Sequence, residues 1–197
     1  AELADSYGQS VIRVTVKQNF LLPSVSGHEV QHVQNELLKV GLQTSRLSFA
    51  AGMVACTGSV GCHSSDTDTK RHSQEVAKKL DQMVVLDQAV NIHFTGCSFS
   101  CAQPYVGDIG LLGARWKVEG VKHEGYHLSV GGGADGADVG RQLFTRVQYG
   151  FLADQLAHIL LVFQKERQAG ESFNEFTRRH DVEKLREIFQ LKGGCRV

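Results

Sequence analysis

The chain has little proline, no excess of charge of either sign and no long apolar run. Two prolines occur in 197 residues, and Lys+Arg and Asp+Glu both number 21, so the formal net charge is zero. A neutral chain gives no electrostatic argument for binding nucleic acid or an anionic membrane. No apolar run approaches the roughly 20 residues that span a bilayer, and the first five residues do not form a signal peptide. We therefore expect no nucleic acid and no membrane as a partner.

Cysteine is scarce but unevenly placed. Four of the five cysteines form two close pairs, Cys56 with Cys62 and Cys97 with Cys101, and Cys195 stands alone near the end. An odd count with such pairing favours metal ligation in a reducing compartment over a disulfide framework. We expect a cytoplasmic protein in which Cys195 is a free thiol.

The paired cysteines predict one metal centre with four sulfur ligands. Four thiolates suit either tetrahedral zinc or a cubane [4Fe–4S] cluster. Zinc pairs are usually about two to four residues apart. Five residues separate Cys56 from Cys62, so the spacing favours iron–sulfur while leaving zinc open.

Apolar periodicity predicts an α+β fold, a mixed sheet with flanking helices. Predicted strands cover residues 11–16, 48–56, 89–94, 105–112 and 126–130, and predicted helices cover residues 28–40, 68–80, 151–168, 171–180 and 182–190. Both cysteine pairs then follow strands, on loops, where cofactors are often held. We divide the chain into residues 1–46, a partial ferredoxin-like strand–helix unit, and residues 47–197, a cofactor-binding α+β domain.

Two other motifs match functional patterns, but a structural interpretation is favoured for each. His28 to His32 matches H-E-x-x-H, the zinc-protease pattern, but the segment is also typical of an amphipathic surface helix. Gly131 to Gly136 contains G-x-G-x-x-G after a strand. A dinucleotide fold needs a helix and a second parallel strand there, so a tight turn is the favoured interpretation.

A few polar residues are candidates for supporting a cofactor. Arg13 and Lys17 share a strand face with Thr15, because side chains alternate along a strand, and could hold carboxylates; a solvated strand edge is the alternative. His63 and His93 flank the cysteine segments and could donate hydrogen bonds there, although structural roles are favoured.

Several segments together resemble the assimilatory nitrite and sulfite reductases. The matching segments, in chain order, are Arg13 to Asn19, Ala55 to Cys62, Thr69-Lys70, Thr95 to Gln103, Gly107 to Leu111 and Gly170 to Phe173. The Cys-Thr-Gly opening at Cys56 is most similar to ferredoxin-type nitrite reductases. The resemblance covers nearly the whole chain.

The resemblance implies cofactors, ligands and partners. Cys56, Cys62, Cys97 and Cys101 would hold a [4Fe–4S] cluster, and Cys101 would also bridge to the iron of a sirohaem. Additional cofactor-binding candidates are Arg13, Lys17, Gln18, Asn19 and Thr57. The implied activity is six-electron reduction of nitrite to ammonia or of sulfite to sulfide, with ferredoxin or another electron donor as partner.

The chain also departs from the family pattern. It resembles only the carboxyl-terminal half of such an enzyme, so the half that supplies most substrate-gripping Arg and Lys residues would be missing. Ser98-Phe99 replaces the usual Pro-Asn, and the polar run from His63 to Asp68 replaces an apolar one, which suggests a surface exposed to water. The alternative functions are a stand-alone or redesigned half that acts as a homodimeric scaffold without turnover, and a zinc protein using the same cysteines.

Overall fold

The computed structural model describes residues 1–45, 47–133 and 138–190. Its helices are α1 (Glu2–Tyr7), α2 (Val30–Lys39), α3 (Phe49–Gly52), α4 (Thr69–Met83), α5 (Tyr149–Glu166), α6 (Phe173–Arg178) and α7 (Val182–Phe189). Its strands are β1 (Arg13–Val14), β2 (Phe20–Leu21), β3 (Met53–Ala55), β4 (Ile92–Thr95), β5 (Ile109–Val118), β6 (Val121–Val130) and β7 (Arg141–Gln148). No helix in these ranges is both long and apolar enough to cross a membrane.

A five-stranded mixed sheet organises the larger part of the chain. Its order is β3-β4-β5-β6-β7, with β3, β4 and β5 parallel and with antiparallel pairing from β5 to β7. The predicted α+β class, with a mixed sheet and helices, is confirmed. The parallel pairs place the carboxyl ends of β3 and β4 side by side, and both cysteine pairs follow those ends.

A tight hairpin joins the two longest strands. Their pairing runs without interruption from Ile109 opposite Val130 to Val118 opposite Val121. Glu119 and Gly120 form the two-residue turn, with φ of 49° and 82°. Positive φ at both positions is the turn geometry that matches the twist of antiparallel strands.

Helices α4, α5 and α7 pack against the sheet and supply much of the core. Val76 and Leu80 of α4 are buried together with Leu156 and Leu160 of α5. Four phenylalanines join α5, α6 and α7 by edge-on and tilted ring contacts: Phe163, Phe173, Phe176 and Phe189. Ser172 starts α6 with a reciprocal capping bond to Glu175, which fixes where that helix begins.

All five predicted strands have different bounds, and two strands, β2 and β7, were missed. β4 begins three residues later than predicted. Residues 48–56 form the short helix α3 before β3, and the segment predicted to begin at residue 105 starts with a 3-10 turn, Pro104–Val106. β1 is shorter than predicted and β6 begins five residues earlier. β7 was not predicted because its apolar residues do not alternate regularly, and the edge pairing with β6 decides its conformation.

The first 45 residues bury few side chains. α1 precedes a two-stranded antiparallel hairpin of β1 and β2, and α2 follows. Ala4, Gly8 and Val33 are the buried residues of this part, while Val14 and Val16 are 86% and 96% exposed. The division at residue 46 stays a prediction, and Arg46 lies outside the described residues.

Candidate metal centre

The four paired cysteines follow strands, as predicted, and the structure shows that these two strands are adjacent and parallel. Cys56 comes directly after β3, and Cys97 comes two residues after β4 ends at Thr95. The Cys56 N–H donates to the Phe94 carbonyl over 3.0 Å, which continues the pairing of β3 with β4 up to the cysteine. We call residues 56–68 the first cysteine loop and residues 96–103 the second cysteine loop.

The sulfur of Cys56 has two polar neighbours. The Gly96 N–H donates to Cys56 Sγ over 3.2 Å, and Thr69 Oγ1 lies 3.4 Å from the same sulfur while donating to the Cys56 carbonyl. Hydrogen bonds to thiolate sulfurs set the reduction potential of iron–sulfur clusters. The first loop therefore presents its sulfur to a donor that comes from the second loop.

Gly96 is required by the contact between the two loops. A Cβ atom at this position would lie 1.8 Å from Ser65 Oγ and 2.9 Å from Ser65 Cβ. The Gly96 carbonyl also accepts the Asp66 N–H over 2.8 Å. A backbone without a side chain thus lets the first loop close over the second.

The polar run after Cys62 is only partly exposed, which corrects the expectation of a water-facing surface. Ser65 and Thr67 are buried, and Ser65 Oγ donates to the Thr67 carbonyl over 2.8 Å. Asp68 caps α4 by accepting the Arg71 N–H. The Ser65 hydroxyl and the Asp68 carboxylate thus satisfy backbone groups of a tight turn, which is why polar residues occupy this run.

Two side chains of β4 hold the second loop. His93 and Thr95 lie on the same face of the strand, two residues apart. His93 Nδ1 lies 2.7 Å from the Ala102 carbonyl and 3.0 Å from that of Gln103, and Thr95 Oγ1 accepts the Ala102 N–H. Carbonyls only accept, so His93 carries its proton on Nδ1. The residue after Cys101 is thereby fixed at both of its backbone groups.

Sequence reasoning anticipated part of this arrangement. His93 was a candidate donor near the cysteines with a structural role favoured, and it donates to backbone carbonyls of the second cysteine loop. Thr95, Gly96 and Thr69 were missed as individual contributors. The alternation of His93 with Thr95 along a predicted strand was the available signal for Thr95, whereas no local pattern reveals that Gly96 meets a sulfur 40 residues away.

Burial and one lysine shape the charges beside the second loop. Burial lowers the pKa of His93, and nearby Lys17 adds to this, while two backbone hydrogen bonds act in the opposite direction. Burial raises the pKa of Asp108, against the effects of Asn91 and Lys17. His93 is therefore kept neutral, and Lys17 is placed near the cysteine-bearing edge.

The other amino-terminal candidates meet the sheet in different ways. Gln18 pairs with Ala55 through both its amide atoms, donating over 2.8 Å and accepting over 3.2 Å, and Asn19 donates to the Ala51 carbonyl. Thr57 is exposed in the first loop. Arg13 is exposed in β1 opposite Leu21. The structure thus brings Gln18 to the residue before Cys56 and leaves Arg13 on the hairpin.

The donor set is chemically suited to a cluster. Cys56, Cys62 and Cys97 are half-buried free thiols and Cys101 is an exposed one, while Cys195 lies outside the described residues. Within the described ranges no three side chains of His, Cys, Asp or Glu are grouped to hold one metal ion. A cubane cluster needs no such group, because each of its irons takes a single thiolate.

The H-E-x-x-H segment and the described part of the glycine motif have the structural roles that were favoured for them. His28 precedes α2, with Glu29 as the capping residue, and His32 packs edge-on against Tyr7, so the two histidines do not share one helix. A Cβ at Gly132 would lie 2.5 Å from the Gly107 carbonyl oxygen, as in a tight turn against a neighbouring loop. The rest of the glycine motif, from residue 134 on, lies outside the described residues.

Similarity to known proteins supports the same assignment. The model of the nitrite and sulphite reductase 4Fe-4S domain matches residues 49–196. Ferredoxin–nitrite reductase of Synechococcus elongatus is 36% identical over 163 residues, which are 82% of this chain and 32% of that protein. The chloroplastic ferredoxin–nitrite reductase of Zea mays is 39% identical over 152 residues, covering 72% of this chain and 26% of that protein.

Solved structures share the fold. The NirA protein of Mycobacterium tuberculosis superposes with a TM-score of 0.79 at 27% identity, covering 89% of this chain and 34% of that one. A dissimilatory sulfite reductase I superposes with a TM-score of 0.76 at 13% identity, covering 95% of this chain and 63% of that one, and that likeness concerns the fold alone. The chain spans only 32% and 26% of the length of these two ferredoxin–nitrite reductases.

Both predicted cofactors, a [4Fe–4S] cluster and sirohaem, are consistent with these findings. The matched model covers most of the chain, including all four paired cysteines and both strands that carry them. The chain therefore belongs to the nitrite and sulfite reductase 4Fe-4S domain family.

Proposed function

We propose that this chain is the cluster- and sirohaem-binding part of an assimilatory nitrite reductase. Cys56, Cys62, Cys97 and Cys101 would hold a [4Fe–4S] cluster, and Cys101 would also be the ligand shared with the sirohaem. The observation that carries the proposal is the convergence of the two cysteine loops at the ends of adjacent parallel strands, with Gly96 N–H aimed at Cys56 Sγ.

The residues of this chain position the cofactors. When bound, the coupled cofactors supply one-electron steps for the six-electron reduction of nitrite to ammonia. The Gly96 N–H places a polar hydrogen at Cys56 Sγ, which favours the thiolate and raises the reduction potential of the group that it binds. Thr69 Oγ1 lies beside the same sulfur while it donates to the Cys56 carbonyl. His93 and Thr95 fix the backbone behind Cys101, so the exposed thiol keeps one direction.

The exposure of Cys101 fits its proposed bridging role. A ligand shared with a second group must face away from its own loop, and Cys101 is the most exposed of the four cysteines in these loops. Phe99 and Val60, one in each loop, are 75% and 84% exposed. Apolar side chains beside a metal centre are typical of a surface that a large cofactor or a partner covers.

We propose two partners for this surface. The electron donor is ferredoxin, since the similar proteins from Synechococcus elongatus and Zea mays are named ferredoxin–nitrite reductases. The second partner is another half-unit of the same family, or a second copy of this chain, that covers the face around Phe99 and Val60. Arg13, Lys17, Gln18, Asn19 and Thr57 are proposed as cofactor-supporting residues, Gln18 through Ala55.

Metal content and spectrum test the proposal. The protein is purified without oxygen from cells that make sirohaem, and iron, zinc, sulfide and the absorption spectrum are measured on one sample. About four irons and four sulfides beyond the haem iron, with haem-type bands, are expected. Stoichiometric zinc without colour would establish the zinc alternative, and a cluster without turnover of nitrite or sulfite would favour the scaffold.

A matched variant locates the bridge. Cys101→Ser is expected to remove the haem-type bands together with the cluster iron. Cys195→Ser, a change of the same kind outside the two loops, is expected to keep both. Retention of haem bands in Cys101→Ser would exclude the proposed bridge.

A further inference from the structure

A buried histidine lies one helical turn behind the first cysteine loop. Thr69, whose hydroxyl contacts Cys56, begins α4, and His72 follows three residues later on the same face of the helix. His72 is fully buried, and Tyr149 stacks on its ring at a centroid distance of 3.6 Å. Burial penalises the charged form of an imidazole, so the charge state of His72 depends on which of its contacts offset this cost near the candidate metal centre.

The hydrogen bonds of His72 give it two defined protonation states. Nδ1 lies 2.8 Å from the Tyr126 hydroxyl, while Nε2 lies 3.1 Å from Arg71 Nη2 and 3.4 Å from Glu124 Oε1. Arginine can only donate, so the neutral ring accepts from Arg71 at Nε2 and donates from Nδ1 to Tyr126. The protonated ring can instead donate from Nε2 to the Glu124 carboxylate, which is partly exposed.

Tyr126 continues this polar line towards the cysteines. It pairs with Gly113 across β5 and β6, and a Cβ at Gly113 would lie 2.7 Å from both Thr67 Oγ1 and the Gly96 carbonyl oxygen. Thr67 Oγ1 is buried and has no hydrogen-bond partner among the described residues. The Gly96 N–H in turn donates to Cys56 Sγ. Glu124, His72 and Tyr126 thus form a polar line that reaches β5 at Gly113, and Thr67 and Gly96 lie beside that residue.

We propose that His72 is the proton acceptor that accompanies electron entry into the cysteine site. One electron passes from a one-electron iron–sulfur donor to the site, and one proton passes from solvent by way of Glu124 to His72 Nε2. The donor loses that electron, and the added negative charge is balanced by the imidazolium. This inference rests on the proposed function, because it requires a reducible cluster at the four cysteines.

The surrounding charges set the pH range of the effect. Burial lowers the pKa of His72, Glu124 opposes this, Arg71 adds to it, and Asp68 and Glu75 oppose it weakly. Tyr126 and Tyr149 also face the ring, and burial raises the pKa of both, so they stay protonated. His72 is therefore neutral at pH 7 before reduction, and the negative charge of the reduced site raises its pKa.

The expected size of the pH effect on the midpoint potential follows from Coulomb's law. A charge about 10 Å away, at an effective dielectric of about 20, changes a proton-binding constant roughly tenfold. For a one-electron couple a tenfold change corresponds to about 59 mV. The midpoint potential should fall by about this amount in total between the acid and alkaline limits, since reduction is favoured when the proton can bind.

The test is a redox titration of the cluster in the full holoprotein, followed by electron paramagnetic resonance, from about pH 5 to about pH 9. The midpoint potential of the wild-type cluster should fall by about 59 mV over this pH range. His72→Gln should be independent of pH, at the alkaline-limit potential of wild type. Glu124→Gln should move the fall to lower pH, because it removes the carboxylate that stabilises the imidazolium. Glu119→Gln, the same change at the far end of the β5–β6 hairpin, should match wild type.

The outcomes separate this inference from the proposed function. A wild-type cluster with a potential independent of pH would overturn the role of His72 and leave the function standing. An unchanged fall in both His72→Gln and Glu124→Gln would do the same. If His72→Gln does not take up the cluster, Glu124→Gln alone decides. A wild-type protein without iron would overturn both proposals.

Discussion

The two cysteine loops lie side by side but are held by different means. In the first loop the structure acts on the sulfur itself, since Gly96 N–H and the Thr69 hydroxyl meet Cys56 Sγ. In the second loop it acts on the backbone, since His93 and Thr95 grip Ala102 while the thiol of Cys101 stays exposed. A thiol that binds a single metal centre can be held by contacts to its sulfur. A thiol that must also bind a group outside the chain is better held through the backbone next to it, which leaves its sulfur free.

Removing the thiols should have the largest effect and should act on both loops. Cys56→Ser, Cys62→Ser and Cys97→Ser should each reduce the iron content from about four per cluster to almost none, because a cubane depends on all four ligands. Iron and sulfide analysis of anaerobically purified protein checks this. Full iron content in Cys56→Ser would show that the first loop is not part of the centre.

The contact between the loops should be the next most sensitive point. Gly96→Ala places a Cβ against Ser65 Oγ, and we expect a loss of about 1–3 kcal/mol in the free energy of unfolding, the usual cost of overpacking. Chemical denaturation of the metal-free protein measures it. Gly27→Ala is the control, because no atom lies within 4 Å of its new Cβ. Equal stability of the two variants would mean that the loops do not interlock as described.

The hydrogen bond that holds the second loop to Thr95 should contribute less stability than the contact between the loops, and its loss should affect only the second loop. Thr95→Val keeps the shape of the side chain but leaves the buried Ala102 N–H without its acceptor, which costs about 1–2 kcal/mol. Alkylation of Cys101 in the metal-free protein should become faster, while that of Cys62 should not change. Thr95→Ser retains the hydroxyl and should behave as wild type. Equal acceleration at Cys62 and Cys101 would argue against a grip specific to the second loop.

The support of the first loop by the amino-terminal hairpin should contribute least. Gln18→Ala removes both hydrogen bonds to Ala55, and we expect a loss of about 1 kcal/mol in the free energy of unfolding, because Gln18 is exposed although Ala55 is buried. Hydrogen exchange at the Ala55 amide should be faster in this variant. Gln43→Ala, an exposed glutamine elsewhere in the amino-terminal part, is the control. Unchanged exchange at Ala55 would show that the hairpin does not stabilise β3.

The sequence predicted the elements that depend on local pattern. α4 begins one residue after its predicted start, and the helix predicted over residues 151–168 lies within two residues of the bounds of α5. The placement of Cys56 and Cys97 after strands was also correct. The bounds of β5 and β7 were not predictable in this way, because edge pairing and the preceding turn, rather than intrinsic preference, decide where those strands begin.

The polar run after Cys62 shows how local chemistry can mislead. Hydroxyls and carboxylates in sequence indicate a surface exposed to water, but Ser65 and Thr67 are buried in the turn that closes over Gly96, where the Ser65 hydroxyl donates to the Thr67 carbonyl. Whether a polar side chain meets water or a backbone amide depends on a contact that is distant in the chain.

By itself the sequence determined the α+β class, the four thiols with their spacing, and the resemblance that placed the chain among the nitrite and sulfite reductases. These follow from residue types and from periodicities set by helix and strand geometry. The tertiary structure alone decided which hydrogen reaches which sulfur. Gly96 lies 40 residues from Cys56, and His72 lies 54 residues from Tyr126. Such pairs form only when the parallel strands bring their ends together and α4 packs over them, and no local signal encodes that approach.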